Sequence, residues 1–216
     1  MSITVHRLEN PSEDDMKRAA HVLHEAFQRR YFLFSLGDES LVEPFLLAHV
    51  RATAIGGQLY VAVLPDVGIV GVGLWFGPDQ KFLSSQDQRD AGWNQTMEAL
   101  EEKYQRWWTN FLQEVDDVTD KLYGFGQQLA SYHLQTVGVL PEYQQRGYGA
   151  ALMTAVEHRA AEESKDVVLE TLGESAVPVY KQMGFKVLGP VPMNTGSRTS
   201  NAYGFRKRFH KMAEDL

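Results

Sequence analysis

The sequence contains no cysteine. That absence removes disulfides, thiolate metal sites and cysteine nucleophiles together, and leaves no sign of an oxidising compartment. Positive charge is scarce as well: 21 Lys and Arg stand against 28 Asp and Glu, a formal net charge of -7. Such a balance repels nucleic acid and anionic membrane surfaces and mildly favours cationic partners. No apolar run approaches the ~18 residues needed to span a bilayer. The first residues, Met1-Ser2-Ile3-Thr4-Val5-His6, lack the basic-then-apolar pattern of a secretory signal. A cytoplasmic location is therefore expected, with neither nucleic acid nor membrane as a partner. Internal repeats and low-complexity segments are missing too.

What is present reads as a globular chain. A hydrophobic fraction of 44% with 23% charged residues is ordinary for a folded domain, and 216 residues suffice for a well-buried core. One domain over 1–216 is the expectation.

Apolar periodicity divides the chain into elements. Ile3 to Leu8 alternates as a strand does, and Asn10-Pro11-Ser12-Glu13-Asp14 then supplies helix-start signals. The helix begun there runs to about Arg30, its core stripe set by Met16, Ala19, Ala20, Leu23, Ala26 and Phe27. A second helix is predicted from about Ser40 to Ala54, stopped by Gly56-Gly57. Leu59 to Leu64 and Ile69 to Trp75 read as a hairpin turning at Pro65-Asp66. From Gly77 to about Leu122, Trp93, Met97, Leu100, Tyr104, Trp107, Phe111, Val115 and Val118 recur at steps of three or four, which predicts one long amphipathic helix, broken at most once. Leu129 to Val139 is strand-like and ends at Pro141. A helix over 147–163, a strand over 167–171, a short helix over 176–183 and strands over 185–188 and 201–208 complete the order. This succession fits a mixed α/β sheet.

The chemistry concentrates in Gln144-Gln145-Arg146-Gly147-Tyr148-Gly149. Two glycines one residue apart let the backbone turn closely and leave successive N-H groups unobstructed. The turn opens a helix, so unsatisfied donors and the positive end of the helix dipole point to one place, which suits a diphosphate. Arg146 can add a charge-assisted contact. A Walker loop would need Lys and then Ser or Thr, but Ala150 and Ala151 follow Gly149. A dinucleotide fingerprint would need a third small residue where Leu152 stands, and a shorter loop than Pro141 to Arg146.

The segment resembles the signature of the GNAT superfamily of N-acetyltransferases: Gln or Arg, two residues, Gly, any residue, then Gly or Ala. Leu134-Gln135-Thr136-Val137-Gly138-Val139-Leu140-Pro141 resembles that family's fourth strand, Val167 to Thr171 its fifth, and Tyr180-Lys181-Gln182-Met183-Gly184-Phe185 its Tyr-x-x-x-Gly-Phe motif. The resemblance covers Tyr132 to Leu188, extends by element order to Ile3 through Trp75, and is absent over Gly77 to Leu122. It implies a mixed, mostly antiparallel sheet of about seven strands, with helices on both faces and a helical insert over 77–122 between the third and fourth strands. It also implies acetyl-CoA as co-substrate, with no metal.

By that resemblance Gln144, Gln145, Arg146, Gly147, Tyr148, Gly149 and Ala150 hold the pyrophosphate. Val137, Gly138 and Val139 hold the pantetheine arm as a free strand edge would. Transfer is direct: a neutral amine attacks the thioester, and Tyr180 protonates the departing sulfur. Many relatives carry Asn where this chain has Gly173, seven residues before the tyrosine, and Ser175 stands in as a candidate. His133 is the first candidate base, placed by alternation on the face of Gln135 and Val137, with Glu170 the fallback. A strand histidine is more often a packing residue, and ordered water serves as base in many relatives. Tyr31, Phe32, Phe34 and Trp75 are candidates for lining an acceptor pocket, although aromatic clusters are usually core. The insert covers the pocket, packs on the sheet or forms a homodimer seam. The function implied is acetyl transfer to a primary amine, on a small molecule or, as the rival, on a peptide or protein. A CoA-binding module without turnover is the reading from another class.

Overall fold

The computed structural model describes residues 3–28, 32–195 and 199–209. Seven strands form one sheet: β1 (Thr4–Arg7), β2 (Gln58–Leu64), β3 (Gly68–Phe76), β4 (Tyr132–Val139), β5 (Val167–Leu172), β6 (Lys186–Asn194) and β7 (Thr199–Lys207). Their spatial order is β1-β2-β3-β4-β5-β7-β6. Every adjacent pair is antiparallel except β4 and β5, which run parallel.

The first helix, α1 (Glu13–Ala26), starts on a reciprocal cap: the Ser12 hydroxyl accepts from the Asp15 amide, and Asp15 accepts from the Ser12 amide, each at 3.1 Å. It ends four residues before the predicted boundary because Gln28 takes a positive φ of 55°. A single turn, α2 (Leu33–Leu36), closes on Gly37 at φ 75°. The next helix, α3 (Val42–Gly56), begins two residues late, since Asp38 accepts from the Ser40 amide and caps a short 3-10 turn ahead of it.

The insert is more broken than periodicity predicted. Gly77 to Ser85 is loop, after which come α4 (Gln86–Gln88), a π-helical turn over Arg89–Trp93, α5 (Asn94–Ala99) and α6 (Glu102–Tyr123). Gly92 has φ 132° within the π turn, and Leu100 is extended between α5 and α6. Neither conformation continues a helix, yet the apolar stripe carries through both breaks. Trp93, Leu100 and Trp108 share a core with α1 and α3, and Met97, Tyr104 and Phe111 pack against it.

That core lies on one face of the sheet. The remaining helices are α7 (Tyr148–Glu162) and α8 (Val177–Gln182). Leu152, Met153, Val156 and Ala160 of α7 cover the other face, against Trp75, Leu134 and Leu169. The far end of α6 packs through Val118, Leu122 and Tyr123 on Val168 and Ala202. No described helix is long and apolar enough to cross a membrane.

Candidate active site

The site is made by a split in the sheet. The parallel strands β4 and β5 pair only at Tyr132 with Val167 and His133 with Val168, and then diverge. Beyond His133, the side of β4 facing β5 offers amide donors and acceptors to an extended ligand. Two cavities open from the gap, and Phe27 and Val137 line both.

The cavity on the loop side encloses about 870 Å³ and is lined by Val137, Gly138, Val139, Gln144, Gln145, Gly147, Tyr148, Gly149 and Ala150. Here Gly147 serves as N-cap of α7 at φ 83°, and Gln145 also has positive φ. The first intrahelical bond runs from Ala151 N to Gly147 O at 2.9 Å, so the amides of Tyr148, Gly149 and Ala150 precede it and need another acceptor. A Cβ at Gly147 would meet nothing within 4 Å, and one at Gly149 only Val139 Cγ2 at 3.9 Å. The residues therefore fit a diphosphate: free donors at a helix N-terminus, beneath space that side chains would fill.

Several candidates have other duties. Gln144 donates from Nε2 to Val139 O at 2.9 Å, tying the loop to the end of β4. Arg146 stacks over the Tyr143 ring, 5.3 Å from its centroid, and lines a separate surface pocket with Leu64, Val67 and Glu142. At Gly138 the constraint comes from packing, because a Cβ would lie 2.9 Å from Ala26 Cβ and 3.0 Å from Leu23 Cδ2. This glycine lets α1 approach β4.

On the opposite side a cavity of about 680 Å³ collects His133, Glu170, Ser175 and Tyr180. His133 Nε2 lies 2.8 Å from Glu170 Oε2 and 3.2 Å from Gln128 Nε2, and Gln128 also reaches Glu170 Oε1 at 3.4 Å. The first choice of base and its fallback thus form one pair, mostly shielded from solvent. Tyr180 packs against Phe205 and Phe185, with centroids at 4.8 and 5.8 Å. Burial raises its phenol above the usual value, which keeps the proton in place at neutral pH. Gly173, at φ 79°, donates from its amide to Asn201 O at 2.8 Å. That left-handed position suits glycine and also tolerates asparagine.

Alternation misplaced one relationship. Across β3 and β4 the register shifts between Leu74 and Trp75: Leu74 faces Thr136 while Trp75 faces Leu134, leaving Gln135 as an extra residue. Such a bulge reverses the facing of every later residue in the strand. Leu134, Val137 and Val139 consequently all join the core beneath α7. His133 shares its face with Thr136, not with Val137, although the cavity at the split reaches all three.

Among the aromatic candidates, Phe32 and Phe34 line this cavity. Trp75 does not: it is fully buried under α7, on the opposite face from the cavity. Tyr31 lies outside the described residues. Sequence reasoning missed Gln128, which sits in a turn with no motif, and Lys207, which lines the loop-side cavity from the last strand. It found Trp107 and Phe111 only as a stripe, whereas both also line the acceptor-side cavity.

Known proteins share this architecture. The model of the GNAT acetyltransferase domain matches residues 79–201, more than half of the chain. A Corynebacterium glutamicum structure described as histone acetyltransferase HPA2 and related acetyltransferase is 21% identical, with 94% of this chain and 96% of that chain covered and a TM-score of 0.60. The polyamine N-acetyltransferase of Drosophila melanogaster is 14% identical, with 96% and 100% covered and a TM-score of 0.61. The yncA protein of Salmonella typhimurium, solved with its cofactor acetyl-CoA, is 14% identical over 100% and 99%, at a TM-score of 0.53. At these identities the likeness is one of fold. The family rests on the matched domain together with the split sheet and the glycine turn at the head of α7, and on those grounds the chain belongs to the GNAT family of acetyltransferases.

Proposed function

We propose that this chain transfers acetyl directly from acetyl-CoA to the primary amine of a small molecule. The observation that carries the reading is the gap between β4 and β5, which joins an anion-ready turn on one side to the His133, Glu170 and Tyr180 cluster on the other. When bound, acetyl-CoA supplies an acyl group activated as a thioester.

The chain's own residues then have separable tasks. Glu170 Oε2 accepts the Nε2 proton of His133 at 2.8 Å, so Nδ1 is the nitrogen left to take the proton of the arriving ammonium, and the Glu170 carboxylate holds the imidazolium that results. The amine nitrogen forms its bond to the acyl carbon as the carbon-sulfur bond breaks. Tyr180, protonated and set among Phe185 and Phe205, gives its phenolic proton to the departing sulfur, and the second proton shed by the newly acylated nitrogen restores the phenol. The amides at the head of α7 hold the donor's diphosphate end.

Kinetics and binding test the assignment. In Tyr180→Phe, kcat should fall by about 10²-fold or more while the dissociation constant for acetyl-CoA stays within about threefold, as expected when an acid acts in the reaction step. Initial-rate kinetics and equilibrium binding measure the two. A ping-pong pattern with an isolable acetyl-enzyme would sink direct transfer. Tight acetyl-CoA binding with no CoA release across a broad amine panel would instead favour a binding module.

A further inference from the structure

The acceptor-side cavity has one chemically distinct end and one distinct wall. Among the described residues its acidic group without a lysine or arginine salt bridge is Glu170, held with His133 and Gln128 where the sheet splits. The other carboxylate lining it, Asp116 on α6, is bonded to Lys81 at 2.8 Å, and both are about half exposed. A distal ammonium would thus meet an occupied carboxylate beside a lysine. Among the described residues the cavity has no ladder of free acids along which a polyamine could lie.

The wall is aromatic. Phe34 is 54% exposed and stands edge-on to Trp107, with centroids 5.5 Å apart at 88°. Trp107 lies nearly parallel to Phe111, with centroids 4.6 Å apart and 14° between planes. The Trp107 indole N-H is spent on Thr195 O at 2.8 Å, leaving ring surface as what this residue offers. Leu112 and Val115 of α6 continue the apolar lining. Flat ring surface beside a single cation-accepting end selects for one amine on an apolar, planar body.

Building on the transfer reading above, we propose that the acceptor is an arylalkylamine, its ring against Phe34 and the Trp107-Phe111 pair and its amine at Glu170 and His133. Polyamines, guanidino-amines and peptide amino termini are the disfavoured classes.

The experiment uses the full chain saturated with acetyl-CoA, with CoA release as the signal. The acceptors are 2-phenylethylamine, tryptamine, n-butylamine, spermidine, agmatine and a short peptide with a free amino terminus. The two aryl amines should exceed n-butylamine in kcat/KM by about tenfold or more, the discrimination that one well-filled apolar subsite provides. Spermidine and agmatine should not exceed n-butylamine. Phe34→Ala and Phe111→Ala should each shrink the ratio of 2-phenylethylamine to n-butylamine by at least about threefold. A preference for spermidine, agmatine or the peptide would overturn the inference while leaving acetyl transfer intact. So would a ratio that neither variant moves, or a rate that climbs from acetyl-CoA to hexanoyl-CoA, which would assign the wall to the donor's acyl chain. If no amine releases CoA, the transfer reading fails, and calorimetric binding then decides the wall by itself: 2-phenylethylamine must bind more tightly than n-butylamine, and equal binding refutes it.

Discussion

Replacing Lys207 with methionine should cost this protein about 4 kcal/mol of stability, and replacing Glu157 alongside it should restore most of that. Lys207 Nζ, from the end of β7, donates to Glu157 Oε2 on α7 at 2.7 Å and to Met183 O, just past α8, at 3.1 Å. The Glu157 side chain is only 10% exposed, and its second oxygen is buried with no hydrogen-bond partner. In Lys207→Met a shielded carboxylate loses its counter-charge, and breaking such a pair from one side costs about 3–5 kcal/mol. The bond to Met183 O adds about 1 kcal/mol or less, since that carbonyl lies near the surface of the cleft. In the double variant Lys207→Met with Glu157→Gln no charge is left stranded, so the deficit should shrink to about 1–2 kcal/mol. With a urea dependence of about 2 kcal/mol per molar, the single variant's midpoint should drop by about 2 M and the double variant's by less than about 1 M. Urea unfolding followed by circular dichroism measures both. A drop below about 0.5 M in the single variant, or a double variant no more stable than the single, would refute the reasoning. The tether to α8 is lost in both variants alike. Any loss in kcat through the helix that carries Tyr180 should therefore persist in the double variant, although its stability has recovered.

Stability should also fall with acid through His49. Burial among Phe45, Phe82 and Trp93 pushes this imidazole down to about 4, with its Nδ1 on Phe45 O at 2.8 Å. The unfolded chain takes up the proton near pH 6.5 while the folded one resists it until about 4. Stability is thus full above pH 6.5 and drops by about 1.4 kcal/mol per unit as the pH falls to about 4, roughly 3 kcal/mol in all. His49→Gln, which keeps a donor for Phe45 O, should flatten that slope in chemical denaturation at pH 7, 6 and 5; parallel curves for the two proteins would reject the assignment. At the head of α7, Gly147→Ala and Gly149→Val should each weaken acetyl-CoA binding by about tenfold or more, by straining a positive φ and by filling the space over the free amides. Arg146→Ala, whose guanidinium stacks on Tyr143 away from that cavity, should weaken it less than either glycine variant in the same calorimetric titration.

The parts of the site that could be read from sequence are those whose chemistry is local. The turn from Gln144 to Gly149 needs only its glycines and the helix it opens, and Tyr180 is fixed by its spacing to Gly184-Phe185. Element order, read with the family resemblance, also anticipated seven strands and the position of the insert. What escaped depends on chain segments far apart. The contact between His133 and Glu170 joins residues 37 apart, brought together by the one parallel pairing in the sheet. Gln128 joins them from a turn that carries no pattern at all. Trp75 was ambiguous in principle, because helices cover both faces of the sheet and an apolar strand residue cannot declare which side it takes. The breaks in the insert were hidden for the opposite reason: its stripe keeps helical spacing through Gly92 and Leu100, so periodicity survived where the backbone did not.

The bulge at Gln135 shows how a local irregularity decides which face of the sheet a side chain takes. Perfect alternation would put His133 and Val137 on one face, and the histidine would then share the side of the sheet that α7 buries. One inserted residue lets Leu134, Val137 and Val139 all pack beneath α7 while His133 and Thr136 face the aromatic cavity. The same strand therefore seals the core on one side and presents the His133 imidazole on the other, within eight residues. It also moves the backbone of β4 out of step with β3 close to the point where β4 leaves β5, so the bulge and the split act on adjacent residues. Bulges beside reaction centres commonly serve to re-aim a side chain. Here the re-aimed side chain is His133, and the insert's α6 supplies the wall it faces.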